Sequence, residues 1–173
     1  MSLDTGVPLT KIMKIIDNFL PNDVFKSIYD NVMGEMPWTF LDTVSNPTEK
    51  IKLQNCFHVH QVYENNTPFS KGFELLTPLI LDKRINLKSI IRIIFNSYPY
   101  TPELFEHEGH VDFDYKHKGA ILYLNTCDGY TYAEGKQVKS VANRVLIHDP
   151  SKLHHSTTTT DAQRRVVCNL NYF

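Results

Sequence analysis

His110-Val111-Asp112 sets an imidazole and a carboxylate one residue apart. On an extended backbone, residues i and i+2 point to the same face, roughly 6–7 Å apart along it, so the pair can grip one metal ion from one side. A single later histidine completes a 2-His-1-carboxylate set. Three such ligands on one face suit non-haem Fe(II) and leave three coordination positions for a co-substrate and O2. Lys152-Leu153-His154-His155-Ser156 supplies the histidine, and both His154 and His155 qualify on type and position. Beyond them Arg165 opens a last apolar run, Val166-Val167-Cys168-Asn169-Leu170-Asn171-Tyr172.

A rival constellation lies upstream. His58-Val59-His60 with Glu64 fits the His-x-His-x-x-x-Glu core of a cupin metal motif. Lys52 stands where that motif wants a glycine, and no second motif with its proline and glycine follows. His58 and His60 therefore read as ordinary strand residues. His107, His117 and His148 read as surface or core histidines rather than ligands. Glu103, Glu106, Glu108 and Asp114 read as a solvated acidic loop at the mouth of the site.

The elements that must hold these residues come in two halves. In the first, Lys11 to Phe19 is β-branched and short, an edge strand, and Pro21-Asn22-Asp23 precedes a helix that Asn22 or Asp23 can cap. Val24, Phe25, Ile28, Tyr29, Val32 and Met33 repeat at helical spacing, and Gly34 stops them. Trp38-Thr39-Phe40 reads as a short strand, Ser45-Asn46-Pro47-Thr48 as a loop, and Ile51 to Tyr63 as a strand. A second helix is expected from about Phe69 to Leu81, made irregular by Pro78. Beyond Asn86 the pattern is of strands. Ser89 to Ser97 puts Arg92, Ile94 and Asn96 on one face and Ile91, Ile93 and Phe95 on the other. Further strands are expected at 110–114, 119–125, 131–133, 138–140, 143–148, 154–160 and 164–172, joined by turns at Asp128-Gly129, Glu134-Gly135, Asp149-Pro150 and Asp161. Two helices followed by seven or eight short strands predict a mainly β (α+β) sandwich or barrel, with the helices backing one face.

Composition excludes several classes. The chain has 173 residues, enough for one domain and one core. Its 18 basic and 19 acidic residues leave a net charge of -1, so neither nucleic acid nor a membrane surface is an expected partner. Cys56, Cys127 and Cys168 are odd in number and widely spaced, which suits reduced thiols in a cytoplasmic protein. No charged-then-apolar leader opens the sequence, and the most apolar stretches, such as Ile90 to Phe95, are too short to span a bilayer.

The region from about Arg92 to Phe173 resembles the Fe(II)- and 2-oxoglutarate-dependent oxygenases. The matching text is His110-x-Asp112, Tyr123-Leu124-Asn125, the turn Gly129-x-Thr131, Asn143-Arg144, Leu153-His154-x-Ser156 and Arg165. It is most similar to the small prolyl-4-hydroxylase-like members, including those encoded by bacteriophages of marine cyanobacteria. Ile15-Ile16-Asp17-Asn18-Phe19-Leu20-Pro21 also resembles how such proteins begin. The resemblance implies a double-stranded β-helix (jelly roll): one oxygenase domain over 1–173, with 1–85 a helix-containing support and 86–173 the metal-binding core. It implies that His110, Asp112 and His154 bind Fe(II), with His155 the alternative third ligand. The family often reads Leu-His-small-Gly at that point, and here His155 and Ser156 replace the last two residues. It implies that Arg165 pairs with the distal carboxylate of 2-oxoglutarate, a bidentate fit, with Tyr123 donating to the same group and Asn96 lining the pocket. Arg164, by strand alternation, faces the other way.

The chemistry so implied splits 2-oxoglutarate with O2 into succinate and CO2 and hydroxylates an unactivated C–H. Relatives that halogenate lack the carboxylate ligand, so Asp112 favours hydroxylation. The expected substrate is a peptidyl residue, proline first, with Trp38, Tyr98, Tyr100 and Tyr130 as aromatic residues able to influence its choice. The alternatives are the same chemistry on a free amino acid or other small metabolite, and a non-catalytic jelly-roll binding domain. The expected location is the cytoplasm, that of the host if a phage encodes the chain.

Overall fold

Residues 13–44 and 53–173 are described by a computed structural model. The strands are β1 (Lys14–Ile16), β2 (Thr39–Leu41), β3 (Phe57–Glu64), β4 (Thr67–Pro68), β5 (Ile90–Pro99), β6 (Lys118–Tyr123), β7 (Tyr130–Ala133), β8 (Lys136–Lys139), β9 (Arg144–His148), β10 (His154–Ser156) and β11 (Arg164–Tyr172). The helices are α1 (Asn22–Met33), α2 (Gly72–Leu75) and α3 (Thr77–Ile80). An antiparallel eight-stranded sheet runs β1-β9-β6-β11-β5-β3-β2, with β4 paired to β3. A smaller sheet, β10-β7-β8, faces it. The expected 45–48 loop, and the starts of the 11–19 and 51–63 strands, lie outside the described residues.

Strand alternation sorts the large sheet into two faces. On β11, Val166, Cys168, Leu170 and Tyr172 join Ile93 and Phe95 of β5 in a core with Ile28 and Val32 of α1 and Leu79 and Ile80 of α3. The opposite face carries Tyr98, Ile121, Tyr123 and Val167, and these pack on Ala133 and Val138 of the small sheet. The helices thus back one face, as expected, and the other closes with the small sheet into the jelly roll. β1, β2 and β3, from the first half of the chain, are built into the large sheet itself.

Three local expectations differ in detail. The second helix is two short ones, because Pro78 lacks the N–H needed to continue the first and sits instead in the opening turn of α3. No side chain caps α1; the Pro21 carbonyl accepts from the Phe25 N–H. The 110–114 segment is no strand. It is tied down by one bridge, His110 to His154, with a second, Glu106 to Thr157, just ahead of it. Its neighbours explain this: exposed Gly109, Glu108, Asp114 and Lys116 favour water over a ladder.

Candidate metal and co-substrate site

Between the two sheets lies a cavity of about 480 Å³. Among the described residues, one group of three His, Cys, Asp or Glu side chains converges closely enough to hold an ion: His110, Asp112 and His154, whose ligand atoms lie within 4.8 Å of one another. Asp112 Oδ1 is 3.8 Å from His110 Nε2 and 3.9 Å from His154 Nε2. Ligands each about 2.1 Å from an ion and at right angles stand about 3 Å apart, so a small closure seats one. The backbone holds the group ready. His110 N–H donates to the His154 carbonyl at 2.9 Å, His154 N–H returns to the His110 carbonyl at 3.0 Å, and Asp112 N–H donates to the Pro150 carbonyl at 3.0 Å.

Electrostatics favour neutral His110 and ionised Asp112, the forms able to ligate a metal. Burial holds the His110 imidazole below its ordinary pKa, and the neighbouring His154 adds to this. Burial pushes Asp112 up, but His154, Arg92 and His110 together outweigh it, and the carboxyl stays below its usual range. The Asn171 amide faces the same carboxylate without closing a hydrogen bond.

His155 points elsewhere. Its ring stacks on Tyr132 at 5.1 Å, and its Nε2 lies 3.3 Å from Glu106 Oε2, close enough for an ion pair but out of line for a hydrogen bond. His58 stacks edge-on against Phe40, and His60 bonds the Pro37 carbonyl and Ser70 Oγ, each at 2.8 Å. Those two do not converge on an ion with Glu64. His107, His117 and His148 are buried, and His148 packs edge-on against His154 at 5.1 Å.

Arg165 is fully buried in the same cavity. Its Nε donates to Ser140 Oγ at 2.6 Å and one terminal nitrogen to Thr131 Oγ1 at 2.8 Å; the other lies 3.5 Å from the Thr157 carbonyl. All these acceptors are neutral. Among the described residues no carboxylate lies within ion-pair distance of it. A buried cation left so is costly by several kcal/mol and calls for an anion from outside. Tyr98 and Tyr123 flank it, their rings 5.3 and 5.7 Å from the guanidinium carbon. The Tyr123 hydroxyl is buried without a partner, and burial raises its pKa, so it stays a donor in search of an acceptor. Asn96 donates to the Tyr98 hydroxyl at 3.2 Å and leaves its own Oδ1 unpartnered. Arg164, on the other face, donates to the Met33 carbonyl at the end of α1.

Sequence reasoning missed three kinds of residue here. Tyr98 lies on β5, directly across from Arg165; extending the Arg92, Ile94, Asn96 alternation by one step reaches it. Ser140, Thr131 and Thr157 position Arg165, and nothing in their spacing announces it. Arg92 reaches Asp112 Oδ1 at 3.4 Å. Of the other aromatics, Trp38 packs against the helix-side core, Tyr100 is exposed, and the Tyr130 hydroxyl donates to Glu106. Glu103, Glu106, Glu108 and Asp114 are exposed, as expected of a solvated loop.

No family model and no curated protein matches the sequence. Solved structures do. A prolyl hydroxylase from Trichoplax adhaerens, in complex with a hypoxia inducible factor peptide fragment, aligns over 95% of this chain and 84% of its own, with a TM-score of 0.65 and 16% identity. A prolyl-4-hydroxylase from Pseudomonas putida aligns over 94% and 93%, with a TM-score of 0.54 and 15% identity. HygX from Streptomyces hygroscopicus, with nickel, 2-oxoglutarate and hygromycin B bound, aligns over 94% and 83%, with a TM-score of 0.59 and 12% identity. The fold is therefore the jelly roll shared by prolyl hydroxylases and 2-oxoglutarate–Fe(II) oxygenases.

Proposed function

We propose that the protein is an Fe(II)- and 2-oxoglutarate-dependent dioxygenase that hydroxylates an unactivated C–H. The observation that carries this reading is the fully buried Arg165, without a carboxylate partner among the described residues, in one cavity with the converged His110, Asp112 and His154. The three would hold Fe(II), and His155 is set aside as a ligand because it faces Glu106. Arg165 would hold the distal carboxylate of 2-oxoglutarate, with the Tyr123 hydroxyl as a further donor and Asn96 in the adjoining wall. With iron and 2-oxoglutarate bound, O2 supplies an oxidant, and succinate and CO2 are the co-products. The chain's own residues do the rest. The His110–His154 backbone pair fixes ligand spacing. Ser140, Thr131 and Thr157 orient the guanidinium. Ile94, Ile121 and Val167 make an apolar floor that excludes water from the reacting carbon.

A peptidyl prolyl target is supported by the resemblance and by the peptide-bound neighbour from Trichoplax. A free amino acid or small metabolite is favoured by a different observation, the charged residues Glu64 and Arg92 at the far end of the cavity. No helix among the described residues is long and apolar enough to cross a membrane.

The reading is tested by adding Fe(II) and 2-oxoglutarate to the protein under argon and recording the visible spectrum. A weak charge-transfer band should form, and should be missing in Asp112→Ala and Arg165→Ala. Folded wild-type protein that gives no band rules the reading out and returns a non-catalytic binding role to the front.

A further inference from the structure

The cavity has a second charged end that 2-oxoglutarate would not use. β5 and β11 pair rung by rung, and the rungs facing the cavity are Tyr98–Arg165, Asn96–Val167, Ile94–Asn169 and Arg92–Asn171. Six residues of extended chain set the first and last rungs about 20 Å apart. At the last rung β3 adds Glu64, directly across from Arg92. Arg92 lies over the Phe113 ring, 4.9 Å from its centre, and its buried Nε has no hydrogen-bond partner. Its one ionic contact among the described residues is Asp112, at 3.4 Å. Glu64 does not neutralise it. That carboxylate accepts from Gln61 Nε2 at 2.6 Å, and no cation among the described residues is within ion-pair distance. Asn169 Oδ1 and Asn171 Nδ2 are likewise buried without partners and line the same cavity.

The charges decide what this end can take. Glu64, Arg92, Asp112 and Arg165 are the charged residues of the cavity lining, two of each sign. A divalent ion and the 2-oxoglutarate dianion cancel. Asp112 is then committed to the metal and Arg165 to the co-substrate, and Arg92 loses its counter-ion to coordination. Arg92 and Glu64, both part-buried, remain as a matched cation and anion with no ionic partner left among the described residues. A peptidyl prolyl ring offers no charge to either. A free α-amino acid offers both.

We propose that this end binds the head group of a free α-amino acid. Its carboxylate lies on Arg92, its ammonium on Glu64, and its aliphatic side chain along Ile94 and Ile121. This rests on the dioxygenase reading above, and supplies its substrate class.

The test is calorimetric titration under argon, with Mn(II) in place of iron and with 2-oxoglutarate present. The probes are L-proline, L-leucine, L-isoleucine and L-valine, the N-acetyl and C-amide forms of each, and a proline-rich peptide. At least one free amino acid should bind, with both of its blocked forms at least tenfold weaker. Glu64→Gln should weaken the free amino acid at least tenfold and leave its N-acetyl form within twofold, whereas Arg92→Gln should weaken both. Blocked forms or the peptide binding as well as the free amino acid, no free amino acid binding, or Glu64→Gln without effect each overturn the assignment. The anaerobic visible band separates the two levels. Wild-type protein that forms the band but shows no preference for the zwitterion sinks the head-group site alone, and wild-type protein without the band sinks both.

Discussion

At the scale of single residues, the adjacent histidines His154 and His155 divide their work by which way a strand turns them. His154 shares a backbone bridge with His110 and converges on Asp112, whereas His155 lies on the opposite face against Tyr132 and Glu106. His154→Ala should therefore weaken Mn(II) binding at least a hundredfold, and His155→Ala by no more than a few-fold, as read by competition with a fluorescent chelator. His107 carries a separate prediction. Burial lowers its pKa to about 4, and Ser156 Oγ lies 3.0 Å from its Nδ1. The unfolded chain takes up that proton near the ordinary value of about 6.5, so the stabilising difference is whole above it and is lost as pH falls toward 4. The loss reaches about 3 kcal/mol per site. Urea midpoints measured with a chelator at pH 7.5 and 4.5 should differ less in His107→Gln than in the wild type. Residue type and spacing made His110, Asp112 and the His154/His155 choice legible. Arg92 was legible only as a strand residue, because its meaning depends on Asp112 and Glu64, which pairing between distant strands brings to it.

At the scale of elements, two asparagines do the joining. Asn143 has a left-handed backbone, φ 60°, which its short polar side chain tolerates. Its amide accepts from the Leu20 N–H at 2.9 Å and donates to the Leu20 carbonyl at 2.7 Å, fixing the entrance to α1 from the start of β9. Asn143→Ala leaves two buried backbone groups unpaired and should cost about 2–4 kcal/mol in chemical denaturation. Asn125 makes the matching clamp after β6, donating to the Arg164 carbonyl and accepting from the Val166 N–H. Gly129 is a close approach: an added Cβ would sit 2.5 Å from the Thr158 carbonyl oxygen and 2.6 Å from Arg165 Cδ. Gly129→Ala should displace Arg165 and weaken 2-oxoglutarate binding at least tenfold, by titration of the visible band. Alternation along the sequence was enough to read β5 and β11 and their faces, since Ile93, Phe95, Val166 and Cys168 cannot be turned outward without a large loss of burial. It failed at 110–114, where the geometry comes from one bridge, His110 to His154, and a carbonyl of Pro150 rather than from a strand of its own.

At the scale of the molecule, the two sheets hold a charged cavity open, and ligands that fill it must stabilise the whole. Mn(II) with 2-oxoglutarate, each at a hundredfold excess over its Kd, should add about 2.7 kcal/mol per independent site and raise the melting temperature by several degrees. The rise from 2-oxoglutarate should vanish in Arg165→Ala. The overall class was legible because the order of helices and strands restricts the layers that can form, but the inclusion of β1, β2 and β3 in the large sheet was not, since pairings of such long sequence separation leave no periodic mark. The ladder between β5 and β11 has one more consequence. Its two ends are the same pair of strands seen about 20 Å apart, one holding Tyr98 and Arg165 and the other Arg92 and Asn171. Substitutions at the second end touch Asp112 through Arg92 but lie far from Arg165, so in lineages that share this ladder the group held beside Arg92 can drift while the buried cation at the other end is inherited unchanged.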